Sequence, residues 1–156
     1  MNAPADLASI GLPPADQVGF VVRDLDRAMA LYGPLFGPWG TMDGSVSGAT
    51  YRGREADVQL QIAFGKSGPL EIELIQWVSG DSPHREFIEA GREGMHHLRF
   101  RVEDADGWIE KLKTLGYVPA WYKKWCADTT FVYLERPGDS VWIELLEMPP
   151  GGPGTG

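Results

Sequence analysis

The sequence predicts an α+β fold of two tandem βαβββ modules, and three observations carry that reading. A strand motif, Gln17-Val18-Gly19-Phe20-Val21-Val22-Arg23-Asp24, returns eighty residues later as His97-Leu98-Arg99-Phe100-Arg101-Val102-Glu103-Asp104. Each copy runs into an Asp suited to capping a helix, followed by apolar residues at helical spacing. Each helix is then followed by three extended, turn-bounded stretches.

In the opening strand Val18, Phe20 and Val22 alternate with Gln17, Gly19 and Val21, so one face is consistently apolar and needs a helix against it. The helix expected from Asp24 to about Gly37 supplies Ala28, Tyr32 and Leu35, and Gly33-Pro34 is expected to kink or shorten it. Extended stretches follow around residues 49–52, 58–64 and 70–77 and complete a first module of about 15–78. Asp81-Ser82-Pro83 marks the start of a link helix over 82–90 that stops at Gly91. The second module, about 95–148, repeats the plan. Leu98, Phe100 and Val102 form its apolar strand face, and Asp106, Trp108, Leu112 and Leu115 match Asp26, Ala28, Tyr32 and Leu35 in a helix from Asp104 to about Gly116. Its extended stretches fall around 118–122, 129–135 and 140–147. Residues 15–148 are thus expected to form one domain. The stretch 1–14, with three prolines and no periodicity, is expected to be a flexible N-terminal segment, and the Gly/Pro tail 149–156 to be disordered.

Composition narrows the function classes. The 156 residues carry 14 Lys+Arg against 22 Asp+Glu, a net charge of −8, which removes the long-range attraction that binding to nucleic acid or an anionic membrane requires. No apolar run approaches the roughly 20 residues that span a bilayer, and the first residues lack a basic start and an apolar core, so a cytoplasmic location is expected. A lone Cys126 allows neither an internal disulfide nor a cysteine-rich zinc site, and any metal must be held by His and oxygen ligands. His96 is read as pointing opposite to His97, and His84 as a surface residue of the link helix. Trp121, Tyr122, Lys123, Lys124 and Trp125 are read either as a gate over a pocket or as a solvated edge strand guarded by its lysines.

The strand faces turned away from the helices carry the chemistry. They present Gln17 in the first opening strand and His97 in the second, while the last strands, Glu71-Ile-Glu73-Leu-Ile-Gln-Trp77 and Val141-Trp142-Ile-Glu144-Leu-Leu-Glu147, each set a carboxylate among apolar neighbours. Taken singly, each of these side chains also fits an exposed strand face or a salt bridge to Arg99 or Arg101. Taken together, equivalent positions of the two modules meet at a pseudo-dyad, where one imidazole, one amide oxygen and two carboxylates suit a divalent ion octahedrally and leave two places open.

These motifs resemble the vicinal oxygen chelate superfamily of glyoxalases, methylmalonyl-CoA epimerases, extradiol dioxygenases and bleomycin-resistance proteins. Gln17-Val-Gly-Phe-Val-Val-Arg-Asp-Leu-Asp is similar to its first-module opening, Gly94-Met-His-His-Leu-Arg-Phe-Arg-Val to its second, and Glu73-Leu-Ile-Gln and Val141-Trp-Ile-Glu-Leu to its two ligand-bearing last strands. The resemblance covers about residues 15–148 and is nearest to the glyoxalase I and methylmalonyl-CoA epimerase branch. It implies a glyoxalase-like fold, a curved, cup-like mixed sheet with helices outside and a metal at its base. It maps the metal ligands onto Gln17, Glu73, His97 and Glu144, and it implies a homodimer.

Departures from the family pattern shape the expected reaction. Val21, Glu93 and Trp77 stand where glyoxalase I resemblance calls for two Arg and an Asn that hold glutathione, so a glutathione-dependent reaction is not expected. Gln59 and Gln61 occupy the stretch where epimerases place a catalytic Glu. The expected function is a divalent-metal-dependent isomerase, epimerase or lyase using Zn, Ni, Co, Mn or Mg. It acts by proton abstraction next to a metal-bound carbonyl, through an enediolate-type intermediate, with Glu144 or Glu73 as base. The substrate is expected to be a small apolar or aromatic anion lying against Trp77, Trp142, Arg99, Arg101, Gln59 and Gln61. A metal-free sequestration protein of the bleomycin-resistance type is the alternative.

Overall fold

A computed structural model describes residues 9–150. The first eight residues of the expected flexible segment and residues 151–156 of the expected tail lie outside them. The first module runs β1 (Ala15–Val22), α1 (Leu25–Phe36), β2 (Gly40–Asp43), β3 (Val46–Tyr51), β4 (Arg54–Ser67) and β5 (Leu70–Gly80). The link helix is α2 (Pro83–Glu89), and the second module runs β6 (Gly94–Arg101), α3 (Ala105–Lys113), β7 (Val118–Cys126), β8 (Thr129–Glu135) and β9 (Trp142–Glu147). Asp24 and Asp104 cap α1 and α3 by accepting from Arg27 N and Gly107 N, and Ser82 caps α2 by accepting from His84 N.

The strands form one mixed sheet that closes on itself. β1 pairs in parallel with β5 and antiparallel with β6, and β6 pairs in parallel with β9. From β9 the ladder continues antiparallel through β8 and β7 to β3, then through β4 back to β5. The shortest seam is between β3 and β7, where only Thr50 with Tyr122 and Tyr51 with Trp121 are in register. Arg52 staples this seam: its N–H donates to Ala120 O at 2.8 Å, and its guanidinium binds Glu86 of α2 and Glu135 of β8. Arg52 also holds a left-handed conformation at φ 48°, beside Gly53 at φ 83° in the tight β3–β4 turn.

Side-chain parity sorts the core into inside and outside. Beneath α1, Val22, Leu25, Ala28, Ala63 and Leu74 pack together with Phe20, and beneath α3 Val102, Ile109, Leu112, Val132, Leu134, Ile143 and Leu145 pack with Phe100. The opposite faces of the same strands turn into the ring and contribute Val21, Ile75, Phe131, Tyr133 and Trp142 to an interior cluster. Phe87 of α2 joins that cluster, so the link helix covers one end of the ring.

Several expectations change. Helix α1 continues through Gly33-Pro34 to Phe36, with Pro34 in its last turn; there the missing N–H costs one bond near an end that is already weak. A short strand, β2, pairs with β4 alongside β3; its four residues are all exposed and its flanks are rich in Gly, so no apolar alternation announced it. The segment Trp121–Trp125 is divided: Trp121, 3% exposed, and Tyr122 are paired on both sides by β3 and β8, whereas Lys123, Lys124 and Trp125 pass beyond β3 and form an edge, with Lys124 and Trp125 exposed. His84 is fully buried, since the N-terminal turn of α2 faces the ring interior. The packing contrast is testable: Leu134→Ala, at a fully buried site under α3, is expected to lower unfolding free energy by about 2–5 kcal/mol in urea melts. Leu35→Ala, on the exposed face of α1, is expected to shift it by roughly 0.5 kcal/mol or less.

Candidate metal centre

Inside the ring, three oxygen atoms converge on one imidazole nitrogen. His97 Nε2 lies 3.1 Å from Gln17 Oε1, 3.2 Å from Glu144 Oε1 and 3.4 Å from Glu73 Oε1. Gln17 and His97 are fully buried, and the Glu73 and Glu144 side chains are 10% and 12% exposed. Glu73, His97 and Glu144 offer ligand atoms that all lie within 4.8 Å of one another. Ligands about 2.1 Å from a shared ion sit roughly 3.0 Å apart at a right angle and about 3.4 Å apart at the tetrahedral angle. The observed separations fall in that interval, and two carboxylates balance the charge of a divalent cation.

The backbone explains the convergence. β1 lies between β5 and β6, so Gly19 is opposite Glu73 on one side and His97 on the other. A Cβ at position 19 would sit 2.0 Å from His97 Cε1, so the imidazole lies across β1 only because residue 19 has no side chain. Glu144 stands opposite Arg99 in the parallel β6–β9 pair, two residue pairs along from His97 and Trp142 and on the same face. The amide of Gln17 is oriented from behind: its Nε2 donates to Glu71 Oε1 at 2.6 Å, which turns Oε1 toward His97. Arg99 secures this support, with Nε 2.9 Å from Asp16 Oδ1 and Nη2 3.6 Å from Glu71 Oε1.

The electrostatics follow from burying two acids and a base together. Burial alone disfavours the imidazolium of His97, but hydrogen bonds to Glu144 and Glu73 outweigh it and push its pKa up to about 9. Burial raises the pKa of Glu73 against the pull of His97. Tyr133 lies against the centre, its ring centroid 4.9 Å from that of His97. Burial, then the charges of Glu144 and Glu73, hold its phenol well above the usual value, so it stays a neutral donor. Burial pushes His84 down to about 3 and His96 well below its ordinary value, and both are neutral.

Not every expected site residue gathers here. Gln17, Glu73, His97 and Glu144 meet, whereas Gln59 and Gln61 are exposed on the outer face of β4, opposite the inward Leu60 and Ile62. An expectation that these two glutamines line the substrate is corrected by strand parity. Arg99 is engaged by Asp16 and Glu71, and Arg101 is exposed, donating to Met148 O at 3.3 Å. Trp77 shares the inner face with Glu73 but packs at the α2 end, its indole donating to Gly80 O and Arg85 lying 5.8 Å over its ring. Trp142 is buried and stacks on His96 at 5.7 Å. His96 was expected to face away from His97, yet their Nδ1 atoms are 3.2 Å apart. A bulge between the Gly19–His97 and Phe20–Met95 pairs breaks the alternation. Glu71 and Tyr133 are contributors that sequence reading missed; the parity of Glu71 with Glu73 was the available signal for the first, and nothing local marks the second.

A ring of two strand–helix–strand modules, βαβββ in the second and with one short extra strand in the first, around a buried carboxylate–imidazole–amide centre is the class that fold and site define. Residues 16–147 match the model of the glyoxalase/bleomycin resistance protein/dioxygenase superfamily, and the chain belongs to that superfamily. No curated protein matches the sequence. Among solved structures it is similar to a hypothetical protein of Bacillus halodurans, at 21% identity and TM-score 0.62, covering 90% of this chain and 98% of that one. It is also similar to methylmalonyl-CoA epimerase of Mycobacterium tuberculosis, at 21% identity and TM-score 0.57, covering 92% and 94%. A 4-hydroxymandelate synthase variant of Streptomyces coelicolor shares 14% identity at TM-score 0.55, with 96% of this chain spanning 54% of that one.

Two outcomes are expected from this geometry. Gly19→Ala places a methyl group where the His97 ring lies, and Zn2+ affinity measured by calorimetric titration should fall about 10- to 100-fold, the range seen when ligand orientation is disturbed. Because His97 carries a proton below pH of about 9, an incoming ion must displace it. Affinity should therefore rise roughly tenfold per pH unit up to that value and flatten above it.

Proposed function

We propose that the protein is a divalent-metal-dependent isomerase, epimerase or lyase that removes a proton from a carbon next to a carbonyl, in a small apolar or aromatic anionic metabolite and without glutathione. The observation that carries this reading is the approach of Gln17, Glu73 and Glu144 oxygens to within 3.1–3.4 Å of His97 Nε2 in a buried centre. Gln17, Glu73, His97 and Glu144 are the residues that would hold the ion. When bound, a divalent ion supplies Lewis acidity that polarises a substrate carbonyl and stabilises the charge developing on its oxygen.

The remaining steps belong to the chain. Glu144, or Glu73 across the imidazole from it, takes the carbon-bound proton; a positioned general base contributes about 10²–10⁴-fold. Tyr133, neutral and buried beside both acids, is placed to donate a hydrogen bond to substrate oxygen or to the carboxylate that has received the proton. Phe131, Leu146 and Phe64, on the inner faces of β8, β9 and β4, supply apolar wall. Arg99, whose charge reaches Glu144, is the cation toward which the anionic group of the substrate would lie.

Protein purified without chelator and loaded with Mn, Co, Ni or Zn is expected to exchange the α-proton of at least one dicarbonyl, hydroxycarbonyl or acyl thioester in deuterium oxide, followed by NMR. Glu144→Gln is expected to slow exchange by roughly 10²-fold or more. Loaded protein that exchanges none of them sinks the reading, and metal-free protein that binds aromatic anions establishes the sequestration alternative.

A further inference from the structure

We propose that His96 is the positioning residue of this centre: its ring accepts the Nδ1–H of His97 and thereby fixes His97 in the tautomer whose Nε2 lone pair faces Gln17, Glu73 and Glu144. This rests on the reading of those four residues as a cation centre. Two features of the structure carry it, the bulge that brings two adjacent histidines to one face and the hydrogen-bonding state of each ring nitrogen.

In a regular strand His96 would point away from His97. The β1–β6 register passes from Gly19 with His97 to Phe20 with Met95, leaving His96 without a partner on β1 and turning it inward. There its ring is fully buried, stacked on Trp142 with 18° between planes and meeting Phe87 edge-on at 4.9 Å. The aromatic clamp leaves the ring little room to turn, and it aims Nδ1 at His97 Nδ1, 3.2 Å away.

The proton count follows from that contact. A neutral imidazole has one N–H, so a His97 that offers the Nε2 lone pair to an ion must carry hydrogen on Nδ1. Among the described residues the partner of that nitrogen is His96 Nδ1, which must accept. The hydrogen of His96 is then on Nε2, which has no hydrogen-bond partner within its aromatic box. An unpartnered nitrogen kept among Phe87, Tyr133 and Trp142 is an expense that a phenylalanine at position 96 would avoid. Of its two ring nitrogens Nδ1 alone has a partner among the described residues, and the role falls to Nδ1.

The choice of acceptor has a chemical consequence. Ligating histidines usually donate their second N–H to a carboxylate or a backbone carbonyl. A carboxylate behind His97 would add a third negative charge to a centre whose Glu73 and Glu144 already balance a divalent ion. A neutral imidazole orients the ring without that charge, so a held ion keeps more of its electrophilic character for substrate oxygen.

The test compares Zn2+ affinity of the unsubstituted protein, His96→Phe and His96→Asn by calorimetric titration, with ring-nitrogen NMR of the Zn2+-loaded unsubstituted protein. His96→Phe keeps the aromatic packing and removes the acceptor, and it should bind Zn2+ about 10- to 100-fold more weakly. His96→Asn sets its amide oxygen near the former Nδ1 and should restore most of the loss. The spectrum should show hydrogen on Nδ1 of His97 and on Nε2 of His96. Wild-type-like affinity of His96→Phe, or hydrogen on Nδ1 of His96, overturns the proposal while leaving the centre intact. If His96→Phe does not fold, the nitrogen spectrum decides alone. Unsubstituted protein that takes up no Zn2+ refutes the centre itself, and the role of His96 with it.

Discussion

Two carboxylates held within hydrogen-bonding distance of one buried imidazole nitrogen are the constraint around which this chain is arranged. Glu73 and Glu144 repel each other and lose solvation on burial, so they need positive charge between them. In the protein alone that charge is a proton on His97, whose pKa is pushed up to about 9 by its two acids. A divalent ion would fill the same need with the same donor atoms, and proton and ion compete for one nitrogen. The surrounding structure makes that competition possible by keeping the donors still.

Stillness comes from backbone placement and from a second layer of polar groups. Gly19 allows the imidazole to lie across β1, and the chain of Asp16, Arg99 and Glu71 turns the Gln17 amide so that its oxygen faces inward. On the other side, His84, His96 and Tyr133 form a polar seam through an apolar interior: His84 Nδ1 lies 3.0 Å from Ser82 Oγ, and its Nε2 lies 3.4 Å from the Tyr133 hydroxyl. All three histidines of the chain are therefore interior, two neutral and one able to carry charge. The link helix matters more than its seven residues imply, since it closes one end of the ring and brings His84 and Phe87 into this seam.

Periodicity made most of the architecture legible. The alternation of Val18, Phe20 and Val22, and of Leu98, Phe100 and Val102, identified the helix-covered faces, and the Asp caps located α1 and α3. The same alternation placed Gln17, Glu73, His97 and Glu144 on the concave face, and the internal repeat made their meeting an expectation. Reading failed where periodicity was interrupted or absent. The bulge at His96 reversed its face, β2 lacked any apolar alternation, and His84 looked like a surface residue because a seven-residue helix gives too short a pattern to show which side is buried.

The duplicated strand–helix motif, the apolar face of each module's opening strand and the identity of the four converging polar residues were determined by sequence alone, because period-two and helical patterns are local consequences of which side chains meet water. Only the tertiary structure decided that β7 closes onto β3, that Glu71 orients Gln17, that Gln59 and Gln61 face outward and that Tyr133 and His96 sit against His97. Those facts depend on sheet closure, on one extra residue in a strand and on contacts between residues far apart in the chain, and none of these leaves a period in the sequence.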